Sequence, residues 1–380
     1  MTNQTNHINH TNQLNQRPRF IIAGGGTGGH IFPAVAIADA LKQHNPDSEI
    51  LFVGASGRME MEKVPQAGYK IVGLEVVGLQ RSFTIKNLLF PFKLLKSLFQ
   101  AFSVIKKIKP DACIGVGGYA SGPVLFIATL FGIKIFIQEQ NSYPGITNKI
   151  LSKFAKRIFV AYDNMNIFFK ESKMVLTGNP VRKDITATLP SKEESLTFFN
   201  LRENRKTILI IGGSLGARTI NESIERNIEL FSENGFQLLW QTGKIYYEGI
   251  LERTKNKNLS DIKIHQFIRE MNMAYSAADI IISRAGALSI SELCIIGKPT
   301  ILIPSPNVSE DHQTKNAMAL VNKNAAVLVK DSEAKEKLGS TVLELTKDET
   351  KLNELSKNIK TLAKTTAAND IVEEIIKQLK

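Results

Sequence analysis

The chain is short of several kinds of residue, and each shortage excludes something. Only two cysteines occur in 380 residues, Cys113 and Cys294, each inside an apolar stretch. A disulfide framework is therefore not expected, and a reducing cytoplasm is the natural compartment. Between Arg81 and Lys109 there is no acidic residue, yet seven lysines and arginines cut the apolar residues into short pieces. A membrane span needs an apolar run of ~20 residues, so this stretch does not cross a bilayer. No Asp-x-Asp stands at the end of an expected strand, so the sequence does not call for a metal bridging a diphosphate. Residues 1–17 hold Asn, Gln and Thr without an apolar core segment. They read as a disordered leader, neither signal peptide nor anchor, with His7 and His10 as solvated members of it.

Negative charge is scarce in one half only. Residues 1–180 carry 20 Lys and Arg against 10 Asp and Glu, whereas residues 181–380 carry 28 against 26, within a net charge of +12. A basic surface thus belongs to the first half and suits an anionic membrane surface. Nucleic acid is not the expected partner, because no motif that reads it is present.

What is present is glycine in one arrangement, twice. Phe20–Ala23 reads as a buried strand; Gly24, Gly25, Gly26, Gly28 and Gly29 follow with Thr27 and His30, and Pro33 opens a helical pattern over Ala34–Leu41. Residues without a Cβ let the chain turn sharply and leave amides unshielded, which suits an anionic or oxygen-rich ligand at a helix N-terminus. Thr207–Ile211 with Gly212, Gly213 and Gly216 repeats the strand, turn and helix start about half a chain later. The pair predicts an α/β chain of two Rossmann-like domains, with parallel sheets facing across a cleft at the carboxyl ends of their strands. Further apolar runs at 50–54, 71–77, 113–116, 133–137, 158–161 and 175–177, then at 236–241, 262–267, 280–283 and 300–304, supply the remaining strands.

The polar cluster Gln138–Ser142 just past one such run marks a site. Asn179-Pro180 favours an extended crossing, which places domains at 18–180 and 181–356. In the basic stretch, the spacing 92, 95, 98, 99, 102, 105 predicts an amphipathic helix that buries one face in its own domain. Ile85, Leu88, Leu89 and Phe90 before it, with Phe92, are more apolar than one helix face needs, and Lys86, Lys93 and Lys96 fringe them. They read either as core or as an interfacial anchor, where each lysine near an anionic leaflet contributes ~1 kcal/mol.

His30 at the mouth of the first turn is the candidate general base, since an imidazole with a reference pKa near 6.5 accepts a proton at neutral pH. A phosphate-side or structural role is the alternative. A nicotinamide dehydrogenase would also carry a glycine turn, but it needs an acid roughly 20 residues on, and the second strand ends in Gly54 instead. A non-catalytic membrane scaffold would leave the polar clusters at the strand ends without a purpose.

Six motifs in order now carry a resemblance: Gly25-Gly26-Thr27-Gly28-Gly29-His30, Gly117-Gly118-Tyr119 with Ser121-Gly122-Pro123, Glu139-Gln140-Asn141, Gly178-Asn179-Pro180-Val181-Arg182, Gly212-Gly213-Ser214 with Gly216-Ala217, and Ser283-Arg284 with Gly286-Ala287 and Ser291-Glu292. From Arg19 to the C-terminus the chain resembles the MurG family, peptidoglycan N-acetylglucosaminyltransferases that turn lipid I into lipid II. The resemblance implies a GT-B fold, UDP-N-acetylglucosamine as donor, undecaprenyl-diphosphoryl-muramoyl-pentapeptide as acceptor and inversion at the anomeric carbon. It also implies a peripheral place on the cytoplasmic face of the inner membrane, other wall-synthesis proteins as further partners, and a final helix near 357–380 that returns to the first domain. No cofactor is expected. Thr27, Gly28, Gly29, Asn141, Arg182, Ser214, Ile268, the run Ala287, Leu288, Ser289, Ile290, Ser291 and Glu292, and Gln313 correspond to donor-binding positions. Within that set Ile268 resembles the backbone that meets uracil, Glu292 the acceptor of ribose hydroxyls and Ser214 the diphosphate cradle. His30 and Glu139 correspond to catalytic positions, and Tyr119 with the basic apolar stretch to the acceptor and membrane side. Leu215 and Gln138 depart from the family, which often has Gln and His there; the second departure leaves His30 as the stronger candidate base.

Overall fold

The computed structural model describes residues 17–76, 90–213, 215–257, 260–308 and 311–380. Two parallel sheets organise it. The first has seven strands in the order β3-β2-β1-β4-β5-β6-β7, formed by β1 (Arg19–Ala23), β2 (Glu49–Ala55), β3 (Lys70–Leu74), β4 (Ala112–Gly115), β5 (Lys134–Glu139), β6 (Arg157–Val160) and β7 (Met174–Leu176). The second has six, in the order β10-β9-β8-β11-β12-β13, from β8 (Lys206–Ile211), β9 (Phe236–Gln241), β10 (Ile262–His265), β11 (Ile280–Ser283), β12 (Thr300–Leu302) and β13 (Val327–Leu328). In both, the strand that precedes a glycine turn (β1, β8) lies inside the sheet, beside the point where the strand order reverses. That is where open α/β sheets place ligands.

The strands form because they are continuous β-branched and aromatic runs buried on both faces: β1 and β4 of the first sheet are buried almost throughout, as are β8 and β11 of the second. Helices cover each face, since parallel strands need crossover connections. The first helix spans Gly28–His44, so it begins five residues ahead of Pro33 rather than at it. Starting there brings the Gly28 and Gly29 amides into the open first turn of the helix.

The C-terminal helices divide their loyalty. Glu349–Thr361 buries Leu352, Leu355 and Ile359 in the cores of the second domain. Ala367–Leu379 instead buries Ile371, Val372, Ile375 and Ile376 among Phe20, Ile22 and Ile37 of the first. Arg157 pairs with Glu374 at 2.7 Å on that side. The chain thus crosses back between Leu362 and Thr366, later than residue 357.

The helix Phe90–Ile108 corrects an expectation. Its buried face is Ser97, Ala101 and Ile105, whereas Phe92 and Phe99 are 71% and 72% exposed, and Leu95 and Phe102 also face outward. Small residues let the helix approach the Ser121–Leu130 helix closely, so the bulky apolar stripe is left on the outside. The Phe102 ring lies 5.4 Å from that of Phe131, itself exposed beside Leu130. Lys96 pairs with Glu75 at 2.7 Å, and Lys93 is exposed. Ile85, Lys86, Leu88 and Leu89 lie outside the described residues, as does the side chain of Phe90. Among the described residues no helix is long and apolar enough to cross a membrane.

Candidate active site between the two sheets

The first glycine turn is a stack of backbone on backbone. Gly25 and Gly26 have φ of 148° and 91°, and Gly117 and Gly118 have 92° and 83°, all in the region that favours glycine. A Cβ on Gly118 would lie 2.3 Å from the Gly25 carbonyl oxygen, so the two turns touch without side chains between them. His30 sits on this floor: a Cβ on Gly117 would stand 2.9 Å from its Nε2, and its Nδ1 is 3.1 Å from Thr27 Oγ1. Burial draws the His30 pKa down from 6.5 to about 4; a hydrogen bond to the Gly25 backbone and the Glu60 charge oppose this, and His312 adds to it. Burial thus favours the neutral imidazole at pH 7, which keeps one unprotonated ring nitrogen but is a weaker base than the reference value suggested. Tyr119, 59% exposed, projects from the neighbouring turn.

Glu139 is turned inward. Its Oε1 accepts from Asn141 N at 3.0 Å and Asn141 Nδ2 at 3.4 Å; its Oε2 accepts from Gly145 N at 3.2 Å and Asn148 Nδ2 at 2.8 Å. Burial raises its pKa, and these donors pull the other way. Both oxygens accept from its own loop, so Glu139 holds the 139–148 turn. Gln138, fully buried, donates to Asn179 Oδ1 at 2.9 Å.

Two asparagines join the domains here. Asn179 Nδ2 donates to the Gln140 carbonyl at 3.0 Å and to Ser291 Oγ at 3.0 Å. Asn316, buried on the His312–Val321 helix, accepts from Ser142 N at 3.0 Å and Ser142 Oγ at 2.9 Å, and donates to Asn141 Oδ1 at 3.3 Å. Sequence reasoning missed Asn316; the available signal was a polar residue on the otherwise apolar inner face of a helix.

On the second sheet, β11 delivers Gly286, which precedes the ten-residue Ala287–Ile296 helix aimed at the cleft. Leu288, Ser289, Ser291 and Glu292 line its open side, half-buried, whereas Ile290 packs in the domain core and offers a ligand only its backbone. Glu292 Oε2 accepts from Tyr275 Oη at 2.8 Å, and its Oε1 lies 3.7 Å from Arg182 Nε. Burial raises the Glu292 pKa, with Arg182 and Tyr275 holding it down and Asp184 pushing it up. Tyr275, fully buried, was not foreseen. Ile268 is buried and donates its N–H to Gln241 Oε1 at 2.9 Å. Gln313 Oε1 accepts from Ser305 N at 2.8 Å. Ser214 lies outside the described residues. Its turn is again built backbone on backbone, since a Cβ on Gly216 would stand 2.1 Å from the Thr242 carbonyl. Gly213 is open, with nothing within 4 Å of its Cβ direction. Arg284 points away from the cleft, donating to the Ile303 and Pro304 carbonyls at 3.0 and 3.1 Å and pairing with Asp331. Among the described residues no group of three His, Cys, Asp or Glu could hold a metal ion.

Two Rossmann-like parallel sheets joined through Asn179 and Asn316, with a helix N-terminus and a buried carboxylate on the second and a histidine in the glycine turn of the first, fit a nucleotide-sugar glycosyltransferase of the two-domain kind. Residues 20–160 match the glycosyltransferase family 28 N-terminal domain, and residues 207–375 match the glycosyltransferase family 28 C-terminal domain. Two curated proteins named UDP-N-acetylglucosamine--N-acetylmuramyl-(pentapeptide) pyrophosphoryl-undecaprenol N-acetylglucosamine transferase are similar over nearly the whole length. That of Cytophaga hutchinsonii is 57% identical, covering 95% of this chain and 97% of its own. That of Flavobacterium psychrophilum is 54% identical, covering 94% and 97%. The crystal structure of Acinetobacter baumannii MurG superposes with a TM-score of 0.77 at 29% identity, over 95% of this chain and 99% of that one. The chain belongs to the MurG family of glycosyltransferase family 28.

Proposed function

We propose that the chain transfers N-acetylglucosamine from UDP-N-acetylglucosamine to the muramoyl 4-hydroxyl of lipid I, giving lipid II and UDP with inversion at the anomeric carbon. The observation that carries this reading is the Ala287–Ile296 helix, which presents open amides and Glu292 to the cleft opposite His30. Uracil sits at Ile268, the ribose hydroxyls donate to Glu292, and Arg182 and Gln313 flank the sugar side. The diphosphate lies against Gly213, Ser214 and the amides of residues 287–291. Oriented amides aimed at charge that grows on the departing UDP stabilise the transition state and need no metal to do so.

His30 takes the proton from the 4-hydroxyl as that oxygen attacks. Its low pKa keeps it unprotonated, and the developing imidazolium is stabilised by Thr27 and the Gly25 backbone. Asn141 lies on the donor side and Tyr119 on the acceptor side. The exposed Phe92, Leu95, Phe99 and Phe102 stripe with Lys93 and Lys96, continued by the basic apolar segment before it, rests on the anionic cytoplasmic face of the inner membrane. That contact brings the polyprenyl acceptor to the first domain while the donor arrives from water to the second.

Radiolabelled UDP-N-acetylglucosamine incubated with purified protein and lipid I in detergent tests the reading. Label should pass into the lipid fraction with one UDP released per sugar. Release of UDP without lipid label, or nicotinamide cofactor bound to the pure protein, would overturn it.

A further inference from the structure

Beneath the first glycine turn lies a side chain that the scheme above does not use. Glu60, at the start of the Glu60–Gln66 helix, is 1% exposed. Its Oε2 accepts from Gly26 N at 2.8 Å and its Oε1 from Ala55 N at 2.9 Å. The carboxyl fills the space in which two missing Cβ atoms would stand: one on Gly25 would lie 2.2 Å from Oε1, and one on Gly54 would lie 2.5 Å from Cγ. On the other side of the same turn come the Gly117–Gly118 backbone and then the His30 ring. A single stack therefore runs from Glu60 through Gly25 and Gly26 to Gly118, Gly117 and His30.

We propose that Glu60 is a positioning residue for the transfer: its two oxygens set the height of the first glycine turn and thereby the aim of His30, without touching either substrate. The proposal rests on the reading of His30 as the base. A buried carboxylate is costly to keep, and among the described residues no cation pairs with Glu60, so the two backbone bonds are what hold it. Glutamine cannot take its place, because both oxygens face N–H donors and an amide would turn a donor toward one of them. The second turn is held differently: Gln241 Nε2 donates to the Gly213 carbonyl at 3.2 Å, and no carboxylate fills the space beside Gly213, which is open. The two glycine turns are thus unequal. The first is fixed through the Gly26 amide beneath the base, whereas the second is fixed through the Gly213 carbonyl.

The experiment compares Glu60→Gln, Glu60→Asp and Gly54→Ala with the native chain by lipid II formation, by calorimetry with UDP-N-acetylglucosamine and by the ring-carbon NMR shifts of His30 and His265. Glu60→Gln should lower kcat ~10- to 100-fold, the scale for misplacing a reacting group by about an ångström. Donor affinity should stay within about twofold, and the His30 signal should move while that of His265 in the other domain does not. Glu60→Asp keeps the charge but falls a methylene short, so it should not rescue. Gly54→Ala leaves Glu60 in place and pushes Cγ from the far side; it should reproduce the kcat loss, and it serves if the Glu60 variants do not fold. Native kcat with an unmoved His30 signal in Glu60→Gln overturns the proposal, as does equal loss of donor binding, which would mark a merely structural residue. His30→Ala at the native rate would sink the base reading instead, a separate outcome.

Discussion

At the scale of the residue, the account turns on how surroundings set the chemistry of three side chains. His30 has an ordinary reference pKa and a folded value of about 4, because it is buried more than it is paired. If it is the base, the pH–rate profile of kcat/KM should show no limb at 6.5, and a histidine limb should appear only toward pH 4. A limb centred near 6.5 would assign the proton to another group. The linkage has a definite sign: the unfolded imidazole binds a proton more tightly than the folded one, so its contribution to stability is complete above 6.5 and shrinks as pH falls toward 4. His30→Ala should reduce turnover at least ~100-fold and leave donor affinity nearly intact, the usual scale for a lost general base. Tyr275 supports Glu292 through one bond of 2.8 Å. Tyr275→Phe should raise the KM for UDP-N-acetylglucosamine by ~10-fold, the equivalent of one buried hydrogen bond to a charged group, with kcat changed less. An unchanged KM would remove Glu292 from the ribose. The sequence made His30 legible because it stands in a glycine turn just past a strand, and Asn141 because it lies in a polar cluster past β5; Glu292 was legible only through the family resemblance. The sequence concealed Glu60, Tyr275 and Asn316, whose partners lie 34, 17 and 174 positions away.

At the scale of the element, the strands were legible as continuous apolar runs, and the two switch points followed from where glycine interrupts them. Only the two-residue β13 was missed, being too short to carry a pattern. The Phe90–Ile108 helix was read correctly as amphipathic, but of its expected stripe only Leu98 and Ile105 pack inward, while Phe92, Leu95, Phe99 and Phe102 face outward. Periodicity locates a stripe; it does not say whether bulk or smallness is what the neighbouring helix demands. The outward aromatic stripe makes a prediction of its own. Replacing Phe92 and Phe99 together by Glu should weaken sedimentation with anionic phospholipid vesicles by at least ~10-fold, since each exposed ring contributes on the order of 1.5–3 kcal/mol when buried. UDP-N-acetylglucosamine affinity should not change. Vesicle binding at the native level would place the membrane contact elsewhere.

At the scale of the molecule, the two sheets are sewn together at the cleft by Asn179 and Asn316 and at the back by the returning Ala367–Leu379 helix. Asn316→Ala leaves the Ser142 amide and hydroxyl without their acceptor, a cost of about 1–3 kcal/mol for an unpaired buried group. Denaturant titration should register that loss, and KM for both substrates should rise, because the cleft is set by the same bond. Charge stabilisation by amides and Arg182 predicts that exhaustive treatment with EDTA leaves lipid II formation at its native rate; loss of activity restored by a divalent cation would require a metal in the cleft. The claim on which all of this depends is that the second sheet holds the nucleotide and the first holds the base. A crystal structure of the chain with UDP bound tests it most directly. The account predicts uracil against Ile268, ribose hydroxyls on Glu292 and the diphosphate at the head of the Ala287–Ile296 helix, with His30 across an open gap. UDP seated on Gly25–Gly29 of the first domain would contradict it.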